Sequence, residues 1–199
     1  MKLLFLVEGQ NDIDFISECA KTSTKIRTVQ VGKFFNSGNK DKKRQTETSI
    51  LRNFSEESSP YKAFVKGEQG KPNVISLFES VVVNFIMSMW EIYLIVMFDH
   101  DHSHPDEEIK NIFSNMTSRN RLLKFDLIGK QIVIEGLCRR DYKIFKTTSN
   151  STKCLGKFSF LTFDTSLEAT ARNMCRTDPI DVCINALASK VDFDRMTTI

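Results

Sequence analysis

The chain has 199 residues, 41% of them hydrophobic, with a formal net charge of +3. That is enough apolar material for one substantial core and excludes a disordered or fibrous chain. So small a charge permits a polyanionic partner without requiring one, so any nucleic-acid argument rests on where the charges sit.

Leu3-Leu-Phe-Leu-Val7 is a continuous apolar run that ends at Glu8-Gly9, the pattern of a strand buried on both faces. Asn11 or Asp12 can cap a helix over Ile13–Ala20, whose apolar face is Ile13, Phe15, Ile16 and Cys19. Ile26–Val31 reads as a second strand. Residues 36 to 72 are polar and read as a long, partly helical insertion, with a short helix over Glu47–Phe54. From Lys33 to Lys71 there are nine Lys/Arg against five Asp/Glu, a larger surplus than that of the whole chain. Asn73 caps an expected helix over Val74–Trp90 that is apolar nearly all round and therefore well buried. Glu91–Phe98 is the next strand and delivers Asp99-His-Asp-His-Ser-His104. Pro105 opens a helix to about Asn115, with Asp106, Glu107 and Glu108 in its first turn, where the dipole favours acids.

Lys130–Glu135 reads as a strand, Tyr142–Lys146 and Phe158–Phe163 as shorter ones. Leu167–Cys175 and Pro179–Val191 complete the pattern as helices. The expected fold is α/β, a single domain over residues 1–199 with a central, mostly parallel sheet flanked by helices. Residues 136–199 form an α/β extension of it. The five cysteines make no C-x-x-C pair, which disfavours structural zinc and a disulfide framework. Free thiols and a cytoplasmic location are expected. No membrane span is visible, since the apolar stretch Val74–Val96 is broken by Glu79, Asn84 and Glu91.

Three expected strands end in acid, at Glu8, at Asp99/Asp101 and at Glu135. Open α/β sheets place their sites outside the carboxyl ends of strands. A carboxylate half-desolvated there needs a positive partner, and Mg²⁺ takes one or two carboxylates together with water and phosphate oxygens. Asp99 and Asp101, two apart in an extended segment, point the same way and can share one ion. An Asp after a strand also serves simply as a helix cap.

Val7-Glu-Gly-Gln-Asn-Asp12 after the first strand, followed by apolar-Asp99-x-Asp101, resembles the Toprim domain. That domain is shared by type IA topoisomerases, bacterial-type primases, OLD-family nucleases and small ribosomal-RNA maturation nucleases. The resemblance covers residues 1 to about 135. It implies a Rossmann-like fold and Mg²⁺-dependent cutting or joining of phosphodiesters, with Mn²⁺ as a substitute ion. In that pattern Glu8 is the general acid/base, with Gly9 following it, and Asp99 and Asp101 hold the metal. Asp12 matches an acid often found at its place, and Glu168 one found in some small members. The chain departs from the pattern in a longer gap from Glu8 to Asp99, in Ser103 where some members carry a third aspartate, and in His104-Pro105 where a glycine is frequent.

The three histidines, His100, His102 and His104, fall opposite the aspartates in an extended segment; His104 is kept as an additional site candidate, as is Glu135. Lys33, Lys40, Lys42, Lys43 and Arg44 follow the second strand, and Arg139, Arg140, Lys143 and Lys146 follow Glu135. Basic side chains rimming an acidic metal site suit a phosphate backbone. Tyr61, Phe64, Tyr142 and Phe145 lie among them as stacking or packing residues. The leading expectation is a metal-dependent nuclease acting on DNA or RNA. The alternative is a catalytically degenerate interaction module with a protein partner in a nucleic-acid or defence complex. A haloacid-dehalogenase-type phosphatase also ends an apolar strand in D-x-D, but it usually carries Thr or Val where His stands here.

Overall fold

In the computed structural model the apolar run of the sequence opens the sheet as β1, Lys2–Val7, all six residues buried. The structure describes residues 2–26, 28–32, 49–84, 92–100 and 104–198. In chain order the elements are β1, α1 (Gln10–Thr22), β2 (Val29–Gly32), α2 (residues 49–55), β3 (Ala63–Gly67), α3 (Lys71–Asn84), β4 (Ile92–Asp99), α4 (Pro105–Arg119), β5 (Leu123–Ile134), β6 (Leu137–Thr147), β7 (Thr152–Phe163), α5 (Leu167–Arg172), α6 (Ile180–Lys190) and α7 (Phe193–Thr197).

The sheet has seven strands in the order β2-β3-β1-β4-β7-β6-β5. β2, β3, β1, β4 and β7 run parallel, while β6 is antiparallel to both β7 and β5. This is an α/β, Rossmann-like arrangement with a mostly parallel mixed sheet. Helices α1, α5, α6 and α7 cover one face through Phe15, Ile16, Leu167, Ile184, Leu187 and Phe193. Helices α2, α3 and α4 cover the other through Phe54, Phe78, Val82, Ile109 and Met116, packed on Phe64, Phe98, Phe158 and Phe160. The abundance of Phe follows from that second layer, where rings meet edge-to-face and tilted at centroid distances of 5.2 to 5.6 Å.

Several elements differ from the sequence reading. β3 lies inside the stretch read as a polar insertion, yet all five of its residues are buried and it pairs with β1. Its Lys66 hid it; that lysine is 4% exposed and forms an ion pair with Glu68, itself 5% exposed. Helix α3 starts two residues before Asn73 and buries one stripe, Val74, Phe78 and Val82, with Ser76 and Asn73 exposed, so it is not buried all round. Residues 85–91 lie outside the described residues. β5, β6 and β7 are longer than expected, because each pairs along a three-stranded antiparallel ribbon that continues past the end of β4. Cys175 and Cys183 form a disulfide across the α5–α6 connection, against the expectation of free thiols; Cys19, Cys138 and Cys154 are free. No described helix is long and apolar enough to cross a membrane.

Candidate functional site

The parallel strands deliver their acids to one edge. Glu8 follows β1 and Asp99 ends β4, and the Glu8 carboxylate crosses between them to accept the Asp99 backbone N–H at 2.9 Å. The Asp99 carboxylate in turn accepts the Leu167 N–H, in the first turn of α5, at 3.0 Å. Gly9 caps α1, and its N–H donates to Asp12 at 2.8 Å. This is the reciprocal arm of a capping box, in which the acid three residues into the helix reaches back to the cap. Asn11 donates its side-chain N–H to Glu168 at 2.7 Å, tying α1 to α5.

Glu8, Asp99 and Glu168, from β1, β4 and α5, thus lie within electrostatic reach of Asp12 on α1. Asp12 is 7% exposed, and burial pushes its carboxyl up to about 8. The Gly9 N–H opposes that rise, while the negative charges of Asp99, Glu8 and Glu168 add to it. The charged groups that act on Asp12 are all negative, a field that a divalent cation would relieve. Hard carboxylate oxygens without thiolate suit Mg²⁺ or Mn²⁺. Among the described residues no three His, Cys, Asp or Glu side chains are grouped as a ready metal cage. Mg²⁺ commonly takes only one or two protein carboxylates and fills its remaining positions with water and substrate oxygen.

Glycine at position 9 is not demanded by local geometry. Its backbone is extended, and a Cβ there would meet nothing within 4 Å. The sequence offers Asn11 only as a helix cap; its place in the Glu8-to-Asp12 segment is the signal that ties it to this cluster. Asp101, Lys33, Lys40, Lys42, Lys43, Arg44, His102 and Ser103 lie outside the described residues.

The opposite face of the same sheet edge carries a mixed-charge cluster. His100 is buried, its ring edge-on to Phe98, and its Nδ1 lies 3.4 Å from a Glu108 oxygen without hydrogen-bond geometry. Burial lowers its pKa first; Lys71 and Arg140 lower it further and Glu108 opposes them, so the ring is held neutral. Lys71 pairs with Glu108 at 3.3 Å and Arg140 with Asp106 at 2.8 Å. His100 and Asp99 do project to opposite faces, as alternation requires. His104 instead caps α4, its Nδ1 accepting from the Asp106 N–H at 3.4 Å, and its side chain is exposed.

Glu135 is exposed in the two-residue turn between β5 and β6, at the same sheet edge as Glu8 but three strands beyond β4. Arg139 and Arg140, read as a basic rim, are buried at 3% and 6% exposure. Arg139 bonds Asp141 and the carbonyl oxygens of Arg195 and Met196, which anchors α7. Arg140 bonds Asp106, Cys138 and Thr162. Both guanidiniums thus serve the interior in this structure. No family model matches the chain, and no curated protein and no solved structure is significantly similar to it.

Proposed function

We propose that this protein is a Mg²⁺-dependent phosphodiester-processing enzyme of the Toprim kind, acting as a nuclease on DNA or RNA. The observation that carries the reading is the hydrogen bond from the Asp99 backbone to Glu8, two residues 91 positions apart. It sets the acid after β1 against the acid ending β4, beside an Asp12 whose pKa is raised first by burial and then by the charges of Asp99, Glu8 and Glu168.

Asp99 would hold the ion, with Asp101 as its partner from the sequence pattern. When bound, the ion supplies charge neutralisation at the phosphate and leaving oxygen. Glu8 moves a proton to or from the attacking or departing oxygen. Glu168 adds to the negative field at Asp12, and Asn11 fixes Glu168 in place. Asp99→Asn and Glu8→Gln are each expected to lower Mg²⁺-dependent cleavage of labelled DNA or RNA at least about a hundredfold. Cleavage unchanged in both variants would overturn the assignment.

A second reading has its own observation. Glu8, Asp12, Asp99 and Glu168 each accept a hydrogen bond within the fold. That is the pattern of a structural hub in a non-catalytic interaction module. Calorimetric titration separates the two: no heat of Mg²⁺ or Mn²⁺ binding at millimolar concentration favours the hub, and metal-dependent turnover excludes it.

A further inference from the structure

The antiparallel ribbon of β5, β6 and β7 concentrates positive charge. The segments of these strands that precede Phe158 in the ladder carry Lys124, Lys143, Lys146, Lys153 and Lys157. Their one acid is Asp126; Asp141 lies just outside them and pairs with Arg139 at 2.6 Å. These segments therefore hold a surplus of four positive charges, larger than the net +3 of the whole chain.

Register sorts these side chains by face. Lys143 stands directly opposite Lys157 on one side and Asp126 on the other, and Lys124 stands opposite Phe145. Directly opposed residues share a face. Alternation along β7 from Leu161 and Phe163, which pack under α1 and α5, puts Lys157 on the face that also bears the acid cluster. Lys124 and Lys157 are exposed, and Lys143 and Phe145 are half-buried. Like charges directly opposite one another destabilise a sheet. Lys143 and Lys157 are so placed, and Lys146 and Lys153 repeat the arrangement on the other face. Two such pairs on one ribbon are what a polyanion laid across the strands would relieve.

We infer that the Lys124–Lys143–Phe145–Lys157 face is a binding platform for single-stranded nucleic acid. Lysines contact phosphates, and an aromatic ring set among them offers a stacking surface that an unpaired base can use and a duplex cannot. Along β7, Lys157 is six residues from Phe163, the residue paired with Asp99, a span of about 20 Å. The inference rests on the nucleic-acid part of the proposed function and gives it a place to hold substrate away from the carboxylates.

The test is fluorescence anisotropy of the full chain in EDTA with labelled oligo-dT and oligo-U of about 12 nucleotides, against a duplex of equal length. The double variant Lys143→Gln/Lys157→Gln is expected to bind single strands about tenfold more weakly and to flatten the salt dependence by about 1.4 in log–log slope. Its thermal stability should rise, since the repulsion is removed. Phe145→Leu, which keeps the apolar bulk, should weaken binding about tenfold and leave the salt slope unchanged. Equal binding by wild type and the double variant overturns the platform, as does preference for duplex, or capture by phosphatidylserine vesicles with no nucleic-acid binding. If the double variant binds like wild type while Asp99→Asn abolishes cleavage, the platform fails and the metal site stands. Lysine-dependent binding without any cleavage supports the platform alone.

Discussion

Asp12 shows how a single carboxyl can report on a site. Its burial and its three acidic neighbours push its pKa from 3.8 to about 8. A carboxyl with a higher pKa folded than unfolded stabilises the fold through its protonated form. That contribution is complete below about pH 4 and is lost progressively as pH rises to about 8. Asp12→Asn copies the neutral form and keeps an acceptor for the Gly9 N–H. The metal-free variant should match wild type in melting temperature near pH 4 and exceed it increasingly up to about pH 8. Mg²⁺ added at the upper end should close the gap by stabilising wild type. A difference that does not change with pH would mean that Asp12 is not held protonated in the folded chain.

At the scale of elements, the β5–β6 turn is a tightly constrained connection. Ile134 pairs with Leu137, leaving Glu135 at φ 49° and Gly136 at φ 81°. Two consecutive positive φ values define a type I′ hairpin, which favours Asn-Gly over Glu-Gly. A Cβ on Gly136 would also lie 3.1 Å from the Thr170 methyl group of α5. Gly136→Ala should therefore cost about 1–2 kcal/mol in urea denaturation. Glu135→Asn should add stability, by up to about 1 kcal/mol. Should both substitutions prove neutral, the turn is not held in this conformation in solution.

For the molecule as a whole, the chain after β7 closes one face of the sheet. Helix α5 holds Asp99 through Leu167, α6 packs on α1, and α7 hangs on Arg139. The Cys175–Cys183 disulfide spans 8 residues between α5 and α6. Closing a loop of that size contributes about 2.5 kcal/mol in the chain-entropy account. Reduction with a phosphine should lower the melting temperature accordingly. Titration of the unfolded, unreduced protein should count three thiols, those of Cys19, Cys138 and Cys154. A count of five would remove the disulfide.

The sequence by itself determined the local features. The unbroken apolar runs at Leu3–Val7 and before Asp99 have no charged residue to expose, and a strand buried on both faces accommodates them. Parallel strands then bring the following acids, Glu8 and Asp99, to one edge without further instruction. Tertiary structure decided what depends on a partner distant in sequence. β3 is a core strand because Glu68 neutralises Lys66 inside the fold, and composition alone reads that lysine as surface. Arg139 and Arg140 looked like a substrate rim because arginine is usually exposed; their partners Asp141, Asp106 and the α7 carbonyls become visible only when the strands are in register. Asn11 and Glu168, 157 positions apart, meet for the same reason. Periodicity carries the geometry of one element, whereas pairing between elements is a property of the folded chain.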